Sequence, residues 1–186
     1  MTDWDGEEIL RTQRLRLRTF RQDDLPLYAA LNAHPKVAEM LGGPLTRAES
    51  DDIADWAQQR WAADRLGLLA VERLADGAFL GMCGLHRQSS RPQDVEVGWR
   101  LAPEHWGHGY ATEAGRAWLR YGFETLGLDR IISMTDEENL RSLAVMRRLG
   151  LTYLENDVIV DNGHAFDSVI YVITREQWSV AQDLGG

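Results

Sequence analysis

Cysteine occurs once in the 186 residues, at Cys83, so no disulfide can form within the chain and nothing in it requires an oxidising compartment. Lysine also occurs once, as Lys36, and the 20 basic residues face 29 acidic ones, for a net charge of −9. That shortage of positive charge speaks against nucleic-acid binding, whose affinity comes largely from neutralising phosphates. It favours cationic partners, amines among them, by long-range attraction, although an acidic balance is also common among ordinary soluble proteins. No apolar run approaches the roughly 18 residues that cross a bilayer, and the opening stretch, residues 1–8, is too acidic and polar to read as a signal peptide. The expectation is a cytoplasmic protein without membrane or nucleic-acid partners. Repeats, low-complexity tracts and Pro/Gly-rich linkers are missing too, which predicts one domain over 1–186.

What is present is an alternation of strand and helix patterns. Residues 14–20, Arg-Leu-Arg-Leu-Arg-Thr-Phe, alternate with the period of a half-buried strand. Asp23 and Asp24 start a helix to about Ala33, and Pro35 starts a shorter one that Gly42-Gly43-Pro44 ends. Thr46 and Glu49 form a capping box for a helix to about Asp64, with Ile53, Trp56, Ala57 and Trp61 on its apolar face; the two tryptophans are expected in the core. Residues 66–74 and 79–87 read as a hairpin around Ala75-Asp76-Gly77, and residues 94–101 as a further strand. A helical pattern over 108–126 stops at Gly127, and residues 130–135 are strand-like. Residues 140–149 are helical up to Gly150, a left-handed cap, and strands 151–160 and 165–174 flank a turn at Asp161-Asn162-Gly163 before a short, helical tail. The sum is mixed α/β.

The most informative segment joins strand 94–101 to the next helix. Pro103 ends the strand, and Gly107 and Gly109 flank His108 just before the helix. Glycines there let the backbone aim several N–H groups at one point, and the first turn of a helix adds unpaired donors and partial positive charge. Together these make a cradle for a diphosphate, although the same glycines also serve a plain tight turn. Dinucleotide and P-loop readings fail: Thr112 stands where a third glycine belongs, and Gly-x-x-x-x-Gly-Lys-Ser/Thr is absent. Farther on, Asn139, Ser142 and Met146 share one helix face at spacings of three and four. Taken alone they also suit an N-cap, a first-turn residue and a core side chain. Cys83, between Met82 and Gly84, reads as core packing, and His105 with His108 falls short of a metal set.

In order and spacing, Thr12 to Phe20, Glu96-Val-Gly-Trp99, Trp106-Gly-His-Gly-Tyr-Ala-Thr-Glu-Ala114 and Asn139-Leu-Arg-Ser142 with Met146 resemble the GNAT superfamily of N-acetyltransferases, in its RimJ/RimL-like branch. The resemblance implies a mostly antiparallel sheet splayed at one parallel strand pair, with helices on both faces. It implies acetyl-coenzyme A as cofactor, held by Val97, Gly98, Leu101, Trp106, Gly107, His108, Gly109, Tyr110, Ala111, Thr112, Asn139, Ser142 and Met146. Trp106 departs from the Gln or Arg usual at its position, which puts a side-chain contact in doubt rather than the cradle. Glu96 is the expected general base, with Glu104 a weaker candidate, a backbone N–H near Val97 or Gly98 the oxyanion donor, and Ser142 the proton donor to the departing thiolate. A solvated or ion-paired structural role for Glu96 stays open. The acceptor is expected to be an amine: a protein or peptide N-terminus first, a small-molecule amine second, with a non-catalytic cofactor-binding module as a third reading. Homodimers are frequent in the resembled branch.

Overall fold

Hydrophobic alternation and helix caps set the element order. The computed structural model describes residues 4–161 and 164–183. Strands are β1 (Glu8–Arg11), β2 (Leu15–Arg18), β3 (Gly67–Arg73), β4 (Phe79–Gln88), β5 (Arg91–Leu101), β6 (Arg130–Thr135), β7 (Thr152–Asp161) and β8 (His164–Thr174). Helices are α1 (Asp24–Ala33), α2 (Pro35–Ala38), α3 (Arg47–Asp64), α4 (Tyr110–Arg120), α5 (Leu140–Arg148) and α6 (Arg175–Asp183). The strands hydrogen-bond in the order β1-β2-β3-β4-β5-β6-β8-β7. No helix among the described residues is long and apolar enough to cross a membrane. The described residues group into two compact units, one within Met1–Gly84 and Trp99–Ala117 and the other within Leu85–Gly98 and Trp118–Gly186.

In the first unit β1, β2 and β3 are antiparallel. Leu15 and Leu17 of β2 are fully buried, as the alternation predicts. Its arginine face does not stay in water. Arg18 is 1 % exposed because Asp24 and Glu72 cover it: the guanidinium grips Asp24 through Nη1 and Nη2 at 2.6 and 2.9 Å and donates from Nε to Glu72 at 2.8 Å. Arg16 and Arg21 also donate to Glu72. The Thr46 capping box on α3 is formed in both directions, Glu49 N–H to Thr46 Oγ1 and Thr46 N–H to Glu49 Oε2. The buried stripe of α3 is Ser50, Ala54, Ala57, Gln58 and Trp61, turned from the expected face so that Trp56 lies at its margin, 39 % exposed. Phe20, Leu25, Tyr28, Ala54, Ala57, Ala70 and Met82 form this unit's core. Cys83 is fully buried, and burial pushes its thiol up, out of the range in which it would act as a nucleophile.

In the second unit β6, β8 and β7 are antiparallel, and β5 runs parallel to β6 with one register pair, Glu96 opposite Ile132. Such short contact is the splay at one parallel strand pair that the resemblance implies. Ile132, Ile159 and Ile170 form a core cluster with Met134 and Val172. Gly150 has φ +87°, the left-handed cap expected after α5. Three differences from the sequence reading stand out. β1 lies in a stretch that carried no strand signal, α4 starts at Tyr110 rather than at residue 108, and β5 starts at Arg91, three residues early, so that Ser89-Ser90 forms a two-residue hairpin turn. Pro92 disguises that start. Asn162 and Gly163 of the expected 161–163 turn lie outside the described residues.

Candidate active site

In the first unit, β5 ends at Leu101, a single 3₁₀ turn spans Pro103–His105, and α4 begins at Tyr110. Gly107 and Gly109 hold φ +79° and +80°, in the left-handed region that glycine enters without steric penalty. The first backbone hydrogen bond of α4 runs from the Glu113 N–H to the Gly109 carbonyl. Upstream, the N–H groups of His105 and Trp106 are taken by Ala102 and Pro103. Among the described residues, none accepts from the N–H groups of Gly107, His108, Gly109, Tyr110, Ala111 or Thr112. That is six consecutive donors, where a helix start alone leaves four.

Side chains brace this turn. Glu113 accepts from the Thr12 hydroxyl at 2.6 Å, the Arg14 N–H at 2.9 Å and the Arg14 guanidinium at 2.7 Å. Burial works against the charge on Glu113, but these donors outweigh it and hold its carboxyl below the ordinary value. Arg14 also donates to the His108 carbonyl at 3.0 Å and lies over the Tyr110 ring at 4.7 Å. Trp106 turns inward, its indole N–H donating to the Leu101 carbonyl at 2.8 Å, so it pins the bend. Sequence reasoning missed the Arg14–Glu113 clamp, which joins residues 99 apart in the chain. Its only local trace is an acid in the first helical turn. His108 is exposed and stacks on Tyr110, while Leu101 and Tyr110 are buried.

In the second unit, Glu96 lies on β5, 7 % exposed. Gln88 Nε2 donates to its Oε2 at 3.3 Å, and His86 Nε2 lies 3.4 Å from the same oxygen. Burial pushes the His86 imidazole down to about 4, so it is neutral near pH 7 and acts as a polar wall rather than a counter-charge. Neither His86 nor Gln88 was singled out from the sequence. Placing the strand start at Asp94 removed the hairpin that brings them beside Glu96. Val97 is fully buried and Gly98 partly exposed. Asn139 is the N-cap of α5: its Oδ1 accepts from the Ser142 N–H at 3.2 Å and its Nδ2 donates to Thr135 Oγ1 at 3.0 Å. One amide proton of Asn139 is left over. Ser142 is half-buried, and its hydroxyl makes no hydrogen bond among the described residues. Met146 is fully buried and packs α5 onto its unit.

Residues 14–152 match the acetyltransferase (GNAT) domain family. An FsC-acetyl coenzyme A-N(2)-transacetylase of Aspergillus fumigatus is 33% identical over 186 residues, covering 93% of this chain and 79% of that protein. Among solved structures, an acetyltransferase of Agrobacterium tumefaciens superposes with a TM-score of 0.76 at 30% identity, over 88% of this chain and 92% of its own. RimL, a ribosomal L7/L12 alpha-N-protein acetyltransferase solved in complex with coenzyme A, shares the fold with a TM-score of 0.75 at 16% identity, over 90% and 98%. The chain therefore belongs to the GNAT acetyltransferase family and is an N-acetyltransferase dependent on acetyl-coenzyme A.

Proposed function

We propose that the chain, as one acetyltransferase domain over 1–186, moves the acetyl group to a primary amine by direct attack in a ternary complex. A peptide or protein α-amino group is the leading acceptor, on the likeness to RimL. The observation that carries cofactor binding is the run of six unpartnered N–H groups from Gly107 to Thr112. A diphosphate is the chemistry such donors fit, because its oxygens accept several bonds at once and favour the positive end of a helix. Acetyl-coenzyme A supplies the activated acyl thioester; everything else falls to the protein.

Free amines are mostly protonated near neutrality (α-amino about 8, lysine about 10.4), so the attacking nitrogen needs a base. Glu96 takes that proton, directly or through water, while Gln88 and His86 fix the carboxylate's position. A backbone N–H near Val97 or Gly98 donates to the oxyanion. The Ser142 hydroxyl would supply the proton that the departing thiolate takes up, and would recover one from solvent. The spare amide proton of Asn139 bonds the pantetheine chain, Leu101 and the bend pinned by Trp106 flank the cofactor, and Met146 keeps α5 in place.

A positioned base contributes about 10²–10⁴-fold. Glu96→Gln is expected to lower kcat at pH 7 by about 100-fold, with the deficit shrinking as pH rises and the free amine becomes abundant. A variant-to-wild-type ratio that stays flat across pH would make Glu96 structural. The α5 residues separate by readout. Asn139→Ala is expected to raise KM for acetyl-coenzyme A and, through the lost cap, to lower stability by about 1 kcal/mol. Ser142→Ala is expected to lower kcat with the melting temperature unchanged. Wild-type kinetics in both variants would remove these assignments.

A further inference from the structure

Glu96 projects from a stretch of β5 that the sheet itself holds weakly, because β5 meets β6 through the single register pair Glu96–Ile132. Side chains alternate faces along a strand, so Asp94, two residues earlier, shares the face of Glu96. Asp94 is buried, and its two oxygens take different partners. Oδ1 accepts from Nε and Nη2 of Arg130 on β6 at 3.0 and 2.6 Å, and Oδ2 accepts from Arg91 Nε at 3.1 Å. Arg91 in turn donates from Nη1 to Asp157 at 2.7 Å and from Nη2 to Glu155 at 2.8 Å, both on β7. Each nitrogen of this one guanidinium serves a different carboxylate.

These partners are far apart within the sheet. β6 and β8 lie between β5 and β7, and three strand spacings come to roughly 14 Å, farther than an arginine reaches in the plane of the sheet. The tip of the β4–β5 hairpin therefore leans over the sheet face. Gln88 shows the same lean, since its Nε2 lies 3.3 Å from Glu96 Oε2 and 3.6 Å from the Met134 sulfur on β6. The Arg91 side chain is 13 % exposed, so water screens its pairs less than those of a surface arginine such as Arg120, at 61 %. Asp94 forms the buried end of this brace, and Glu155 and Asp157 form its outer end. A group that takes a proton in the reaction needs such a fixed place, because a misplacement of about 1 Å can cost about 100-fold in rate.

We propose that Arg91 is a positioning residue for Glu96: it clasps the tip of the β4–β5 hairpin to β7 and, through Asp94, fixes the stretch of β5 from which Glu96 projects. Arg91 touches no reacting atom. Without it the hairpin tip lifts, Gln88 loses its seat on Met134, and the Glu96 carboxylate spreads over positions from which it does not reach the amine proton. The loss falls on kcat, because the backbone donors from Gly107 to Thr112 that take the diphosphate belong to the first unit and not to this network. The inference rests on the reading of Glu96 as the base.

The test uses the full chain, with acetyl-coenzyme A and whichever of hexylamine and a short peptide with a free α-amino group is acetylated faster. Arg91→Met is expected to lower kcat by about 10-fold with KM for acetyl-coenzyme A unchanged. Arg91→Lys, which keeps the charge but not the three-way grip, should fall between that variant and wild type. Arg120→Met, which removes an exposed arginine of the same unit, should leave both constants as they are. The double variant Arg91→Met with Glu96→Gln separates positioning from general structural damage. A base that is gone cannot be misplaced, so the double variant should stay near the loss of about 100-fold expected for Glu96→Gln alone, whereas independent effects would multiply to about 1,000-fold. Amide hydrogen exchange of residues 94–97 needs no acceptor and should quicken in Arg91→Met but not in Arg120→Met. Multiplied effects in the double variant, a wild-type kcat in Arg91→Met while Glu96→Gln is slow, or unchanged exchange at residues 94–97 would overturn the positioning role and leave Glu96 as the base. A wild-type kcat in Glu96→Gln would instead sink the reading of Glu96, and the inference with it.

Discussion

Gly109→Val is expected to weaken acetyl-coenzyme A binding by about 100-fold, read by isothermal titration calorimetry. Gly109 holds φ +80°, and a Cβ there would sit 3.5 Å from Arg14 Nη2, the guanidinium that braces the turn. A β-branched residue resists that backbone region, so the turn must rotate and re-aim its N–H groups. Each hydrogen bond to a charged group contributes about 1.5–3 kcal/mol, and losing one or two matches a 100-fold loss, about 2.7 kcal/mol. Gly107→Ala should be milder. A Cβ at Gly107 meets nothing within 4 Å, so only the backbone penalty remains, about 1–2 kcal/mol. Unchanged affinity in the Gly109 variant, with the fold intact by circular dichroism, would mean that the turn does not hold the diphosphate.

Arg18→Met is expected to destabilise the first unit by about 3–5 kcal/mol. The side chains of Arg18, Asp24 and Glu72 are 2 %, 5 % and 4 % exposed. Removing the cation strands buried carboxylates that still have Arg16 and Arg21 beside Glu72 but lose the two-pronged grip on Asp24. For a chain of this size each kcal/mol moves the melting temperature by about 2–4 °C, so a fall of roughly 6–20 °C should appear by scanning calorimetry. Arg16→Met, at 29 % exposure, should lower stability less because water screens its pairs. Adding Asp24→Asn and Glu72→Gln to Arg18→Met should recover part of the loss, since the charges left behind are then neutral. A melting temperature within 2 °C of wild type in Arg18→Met would contradict the account of this cluster.

How much of this was legible in the sequence depends on the range of the forces involved. The glycine turn before α4, the Thr46–Glu49 box and the Gly150 cap were readable because each is a local backbone problem that particular residue types solve within four or five positions. Burial of Arg18 was not. The alternation of β2 assigns it to solvent, and its rescue by Glu72 comes from 54 residues away. The same holds for Arg14 and Glu113, whose contact is written in two distant segments. His86 and Gln88 were lost through one local error: Pro92 made the start of β5 look later than it is, and the hairpin that carries both beside Glu96 disappeared with it. Trp56 failed differently. Its helix was right, but an apolar stripe read from one sequence tolerates a turn of one residue, enough to move a side chain from core to margin.

The central claim is that the backbone N–H groups from Gly107 to Thr112 hold the diphosphate of the cofactor. Amide hydrogen exchange of those six residues, followed with coenzyme A and separately with pantetheine, which lacks the diphosphate, tests it most directly. Exchange should slow with coenzyme A and stay unchanged with pantetheine. Equal exchange with and without coenzyme A at saturating concentration, while the cofactor demonstrably binds, would contradict it.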